Sequence, residues 1–126
     1  MEKQKTALAQ NNTKQLAVVK AQETADKARL VYDKMPSVAN LAAQRQACLE
    51  VFKARLAYIK DLGEQVLTEL FKAKPELMAN ALILGGVPFL ITVNTDRLTF
   101  ELTDTATGEI HNGFNAVETF LLNKLK

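Results

Sequence analysis

Tryptophan is absent from this 126-residue chain, and cysteine and histidine occur once each. A lone Cys48 rules out an intramolecular disulfide and suits a reducing compartment. One His and one Cys, 63 positions apart, cannot supply the clustered soft ligands that a zinc site needs. Without tryptophan, and with the other aromatics set in apolar stripes or strands, no stacking platform for single-stranded nucleic acid is indicated. Net charge is +2, too small to argue for nucleic acid or for an acidic partner. No apolar h-region appears near the N-terminus, where polar residues run through Gln15, so no secretory signal is expected. The longest uncharged run, Leu77 to Thr95, is 19 residues, but Asn80, Gly85-Gly86 and Pro88 divide it into a helix end and a strand. These features predict a soluble, cytoplasmic protein of one domain.

What is present is helix-forming sequence followed by strand-forming sequence. From about Lys3 to Lys34 there is neither Gly nor Pro, and Ala, Gln, Lys and Glu dominate. Val18, Ala21, Ala25, Ala28, Tyr32 and Met35 recur at spacings of 3 and 4, a coiled-coil seam built mostly of alanine. Asn11 and Asn12 interrupt its continuation toward the N-terminus, where fraying is expected. Pro36 ends this helix, and Ser37 can cap the next.

The second helix is predicted from Val38 to Ala73, with Gly63 as a place for a kink or break. It carries two apolar stripes. One is Val38, Ala42, Leu49, Phe52, Leu56 and Ile59, continuing to Val66 and Leu70. The other is Ala43, Ala47, Val51, Ala54 and Tyr58. Their centres lie roughly 160° apart on a helical wheel, so both sides need cover. The larger side chains are expected to pack inside the chain. The alanine-rich stripe is then left over, as the candidate surface for self-association.

Pro75 suits the first turn of a short third helix, which Gly85-Gly86 stops. The period then changes from 3.6 to 2. Phe89, Ile91 and Val93 alternate with Leu90, Thr92 and Asn94, and Leu98, Phe100 and Leu102 alternate more cleanly with Thr99, Glu101 and Thr103. Asn94 to Arg97 and Asp104 to Gly108 read as turns, and Glu109 to His111 as a short third strand. Asn115-Ala116-Val117-Glu118 resembles a capping box that opens a last helix. The chain is therefore α+β: a long N-terminal helical hairpin, a three-stranded antiparallel β-meander and a C-terminal helix. Residues 1–84 and 85–126 are its two parts. Helices of this length would reach roughly 50 Å, more than a compact globule of this size needs, which favours a two-fold dimer through the hairpins.

Chemistry is thin. His111 is expected in solvent on an edge strand, and Cys48 as a small buried residue of the second helix. Asp96, Glu101, Asp104 and Glu109 fall in turns or on a polar strand face, the pattern of solvated acids. Gly85-Gly86-Val87-Pro88 lacks the Lys and Ser/Thr of a phosphate loop. No catalytic residue, metal site or cofactor is expected. Through Lys74 the chain carries 13 basic and 8 acidic residues, and from Pro75 on 3 basic and 6 acidic. The hairpin is thus mildly basic and the sheet end mildly acidic.

The leading expectation is a small non-enzymatic protein that self-associates and engages a larger protein. A phage-type or mobile-element accessory, such as a structural subunit or an inhibitor of a host system, suits its size. The alternatives are a nucleic-acid-associated protein using the basic hairpin, and an enzyme whose site forms at a subunit junction.

Overall fold

The computed structural model describes residues 2–125, with side chains described from residue 13 onward. The elements follow in the order α1 (Glu2–Lys34), α2 (Val38–Ala73), α3 (Pro75–Leu84), β1 (Phe89–Asn94), β2 (Thr99–Asp104), β3 (Ile110–Asn112) and α4 (Phe114–Leu125). The protein is α+β, with its helices first, then a meander, then a closing helix. Two compact units divide it, residues 1–58 and residues 59–126. The division falls inside α2, and the break in composition at Gly85-Gly86 lies within the second unit.

In the first unit the turn between the helices is built as its sequence dictates. The residue before a proline is driven out of the helical region, so α1 ends at Lys34, ahead of Pro36. Ser37 Oγ then accepts from the Asn40 backbone N–H at 3.1 Å and caps α2. Asn40 adds a second tie, donating from Nδ2 to the Met35 carbonyl at 2.7 Å. The alanine seam of α1 packs as a unit: Val18 and Ala25 are buried and Ala21 and Ala28 half-buried. Met35, its last member, is exposed beyond the helix end. Asn11 and Asn12, where fraying was expected, have side chains outside the described residues.

In the second unit, Ile59, Leu62 and Val66 of α2 are fully buried, as are Leu102 of β2 and Val117 and Leu121 of α4. α2 runs through Gly63 without interruption, so neither the kink nor the break occurs. A Cβ at Gly63 would meet Phe89 and Ile91 at 3.6 Å, an ordinary van der Waals contact. Packing against β1 therefore holds this weak helix former in place, and its intrinsic cost of about 1 kcal/mol is overridden.

The sheet has strand order β1-β2-β3, antiparallel throughout. Ile91 pairs with Leu102, and Leu102 with His111. Strand alternation then puts Phe89, Phe100 and Leu102 on the inner side, where all three are buried. α4 packs on β2 and β3. Both turns are tied by the side chains that the sequence offers. Asn94 Oδ1 accepts from the backbone N–H of Asp96 and of Arg97 at 3.1 Å. Asp104 Oδ1 accepts from the N–H of Ala106 at 2.9 Å. Gly108 supplies the left-handed residue that closes the second turn, with φ of 75°.

Three expectations need correction here. Leu98 belongs to the first turn, with φ of 55°, and β2 starts at Thr99. The third strand is shifted by one residue, to Ile110–Asn112. Asn115 is not the cap of α4. The helix opens at Phe114, and its first turn closes from the Val117 N–H onto the Gly113 carbonyl at 3.1 Å. Gly113, at φ of 92°, makes the abrupt change from strand to helix that Asn115 was expected to make.

Candidate interaction surface

The alanine-rich stripe of α2 is placed inside the first unit. Ala47 and Val51 are 7% and 6% exposed, and with Ala25 they form a buried cluster against which Ala21 and Ala28 pack. Tyr58 is fully buried, and its hydroxyl accepts from Gln15 Nε2 at 2.8 Å. Ala54 is half-buried and Ala43 exposed. A second tie beside them runs from Arg55 Nη2 to Gln22 Oε1 at 2.9 Å. Helix one thus makes the contact that was expected of a second copy. The physical reason lies in side-chain size. Alanines on α1 allow a close approach, and the alanine side of α2 matches it. The signal was present in the sequence as two small-residue stripes. The larger burial energy of Leu and Phe argued the other way.

The opposite stripe carries the uncovered surface. Val38 is 87% exposed, Ala42 is exposed, and Leu41 and Leu49 are half-buried. With Arg45 and Gln46 they line a groove of about 380 Å³ along the first turns of α2. Val38, Leu41, Ala42, Arg45, Gln46 and Leu49 follow at spacings of 3, 1, 3, 1 and 3, so they fall on one side of the helix. Arg45 stands in the middle of this face, exposed, with no ion-pair partner among the described residues. Its neighbour Gln46 is engaged along the helix, donating to Glu50 Oε1 at 2.9 Å. Glu50 also lies 3.8 Å from Lys53 Nζ, an exposed pair of little energetic weight. Further along the same face Phe52 is buried and Leu56 half-buried.

The two residues considered for chemistry depart from expectation in opposite ways. Cys48 is exposed rather than buried. His111 is half-buried rather than in solvent. Its ring lies against Phe120 with centroids 4.5 Å apart, and its buried Nε2 has no hydrogen-bond partner among the described residues. Phe120 in turn meets Phe89 edge-on at 6.3 Å, and Lys124 Nζ lies 5.3 Å from its ring centre. His111 is thus part of an aromatic layer between sheet and α4. Asn115, Thr119 and Asn123 line the groove of about 410 Å³ beside it. Cys48 belongs to the first unit and His111 to the second. Asp96 is a turn residue, as the sequence implied, whereas Asp104 is the last residue of β2, paired with Phe89, and Glu101 is half-buried in the same strand. Among the described residues, no three His, Cys, Asp or Glu side chains gather where they could hold a metal ion. No described helix is long and apolar enough to cross a membrane. No protein-family model matches the chain, and neither curated proteins nor solved structures give a match.

Proposed function

We propose that this chain is a small non-enzymatic protein-binding protein, one that self-associates and engages a larger protein. The observation that carries the reading is the outer face of α2, where Val38, Leu41, Ala42 and Leu49 surround Arg45, which has no ion-pair partner among the described residues. An apolar helix face of this kind takes the apolar stripe of another helix, read as anchors three or four residues apart. Arg45 adds direction, because its planar guanidinium favours a carboxylate set among those anchors. The partner is therefore an amphipathic helical segment with one acidic residue within its apolar stripe. A phage-type or mobile-element accessory, acting as a structural subunit or as an inhibitor of a host system, is the setting in which we place such a protein.

The test compares partner capture by the wild-type chain with capture by Val38→Asp and Arg45→Glu, both at exposed positions. A protein that is retained by wild type and lost with both variants supports the reading. Retention unchanged in both would remove α2's outer face from consideration. A gel-shift run at two salt concentrations sets the competing case. Binding of duplex DNA or RNA that weakens steeply with salt would assign the basic hairpin to nucleic acid instead.

A further inference from the structure

α3 is the least covered element of the second unit. Its sequence, PELMANALIL, has one charged residue, Glu76, and apolar side chains on every side. None of its residues is buried, and Leu82, Ile83 and Leu84 are 75%, 78% and 80% exposed. A helix that is apolar all round belongs in an interior. A second uncovered surface lies on the sheet. Leu90, Thr103 and Ile110 are register partners across β1, β2 and β3, so they form one row on the outer face. Leu90 and Ile110 are both exposed, while the inner face holds the core.

The two surfaces suit each other, yet within one chain they are kept apart. The connection from α3 to β1 is Gly85 to Pro88, and its second half is tied down. Thr105 donates from Oγ1 to the Val87 carbonyl and from its backbone N–H to the Pro88 carbonyl at 3.1 Å. Gly85 is already committed as the left-handed cap of α3, with φ of 68°. Little slack is left to lay α3 over its own sheet.

We infer that α3 of one copy of this chain packs across the outer row Leu90, Thr103, Ile110 of a second copy, which returns the same contact. The inference deepens the self-association proposed above and rests on it. A two-fold axis makes the exchange reciprocal, each copy giving one helix and one sheet face. The exposed apolar side chains of α3 lie on every side of the helix, so one helix face with Leu90 and Ile110 would bury on the order of 500 Å² per copy, and the two copies together about the 1,000 Å² that a specific interface needs. A lipid surface is the weaker occupant, since α3 has no Lys or Arg to form the cationic face of an interfacial helix.

The experiment is light scattering coupled to size exclusion on the full chain, at several concentrations. Wild type is expected as a dimer at micromolar concentration. Leu82→Glu combined with Ile83→Glu should weaken it at least tenfold, and Ile110→Glu should do the same, with melting unchanged. If the double variant melts early, Leu84→Lys at the most exposed of these positions replaces it. Mixing the helix variant with the sheet variant should restore a heterodimer, because one of the two reciprocal contacts is intact in that pair. A dimer that persists in every variant overturns this inference and leaves self-association standing through another surface. A wild type that stays monomeric at high micromolar concentration overturns both. A monomer that floats with anionic phospholipid vesicles, and loses them on Leu82→Glu with Ile83→Glu, assigns α3 to lipid and overturns the inference too.

Discussion

Gln15 donates from Nε2 to the hydroxyl of Tyr58 at 2.8 Å, joining α1 to a fully buried side chain 43 positions later. A buried hydroxyl without a partner is costly, so this bond permits a tyrosine where the helices close on each other. Tyr58→Phe removes the hydroxyl and leaves the ring. It should cost about 1 kcal/mol in chemical denaturation. Tyr58→Ala removes the ring as well, and should cost on the order of 3–5 kcal/mol. Equal losses from both would mean that the ring contributes nothing to the packing.

Ala47 and Ala42 provide the sharpest contrast on α2. Ala47 is buried against α1, and Ala42 is exposed on the other side. Ala47→Glu would bury a charge with no partner and should lower stability by several kcal/mol, with loss of the helical signal. Ala42→Glu should stay within about 0.5 kcal/mol of wild type. Circular dichroism melts of the two proteins check this directly. An Ala47→Glu protein that melts like wild type would place the alanine stripe on the surface after all.

The pattern of helices and strands was legible because it rests on local signals. Pro36 and Ser37 fix one boundary, Pro75 and Gly85 two more, and the switch to a period of 2 after Pro88 marks the sheet. The inner strand residues Phe100 and Leu102 followed from alternation alone. What could not be read was which stripe of α2 meets α1, since that depends on how closely two backbones approach. Nor could His111 be placed, because its stacking on Phe120 is made by α4, which arrives later in the chain. Cys48 was misjudged for a similar reason: it sits between the stripes, and its exposure depends on which stripe is covered.

Phe100 and Thr99 test the register of the sheet. Phe100 is buried on the inner face and meets Phe114 edge-on with centroids 6.4 Å apart, while Thr99 is exposed. Phe100→Ala should cost on the order of 3–5 kcal/mol and Thr99→Ala little. Urea denaturation followed by intrinsic tyrosine fluorescence or circular dichroism measures both. Comparable losses at the two positions would mean that β2 is slipped by one residue.

Gly63 offers a gain in stability. The residue lies mid-helix, where glycine is about 1 kcal/mol less favourable than alanine. Its conformation is helical, so alanine can adopt it without strain. The added methyl would rest at 3.6 Å from Phe89 and Ile91, close enough to pack and far enough not to push. Gly63→Ala should therefore stabilise the protein by about 0.5–1 kcal/mol, raising the melting temperature by roughly 4 °C. A lower melting temperature would show that β1 sits closer to α2 than this contact distance.

His111 separates an aromatic role from a polar one. Its ring stacks on Phe120, but its buried Nε2 has no hydrogen-bond partner among the described residues. The ring contributes apolar contact, and the nitrogen costs desolvation. His111→Ala loses the contact and should destabilise by about 1–2 kcal/mol. His111→Phe keeps a ring in the layer with Phe120 and Phe89 and removes the unpaired nitrogen, so it should be at least as stable as wild type. Thermal melts of the three proteins make the comparison. If His111→Phe falls as far as His111→Ala, then Nε2 is satisfied by a group outside the chain, and His111 has a polar partner worth identifying. If both variants fold normally and capture of the partner protein is lost in both, the groove beside Asn115 and Thr119 becomes the binding surface in place of α2.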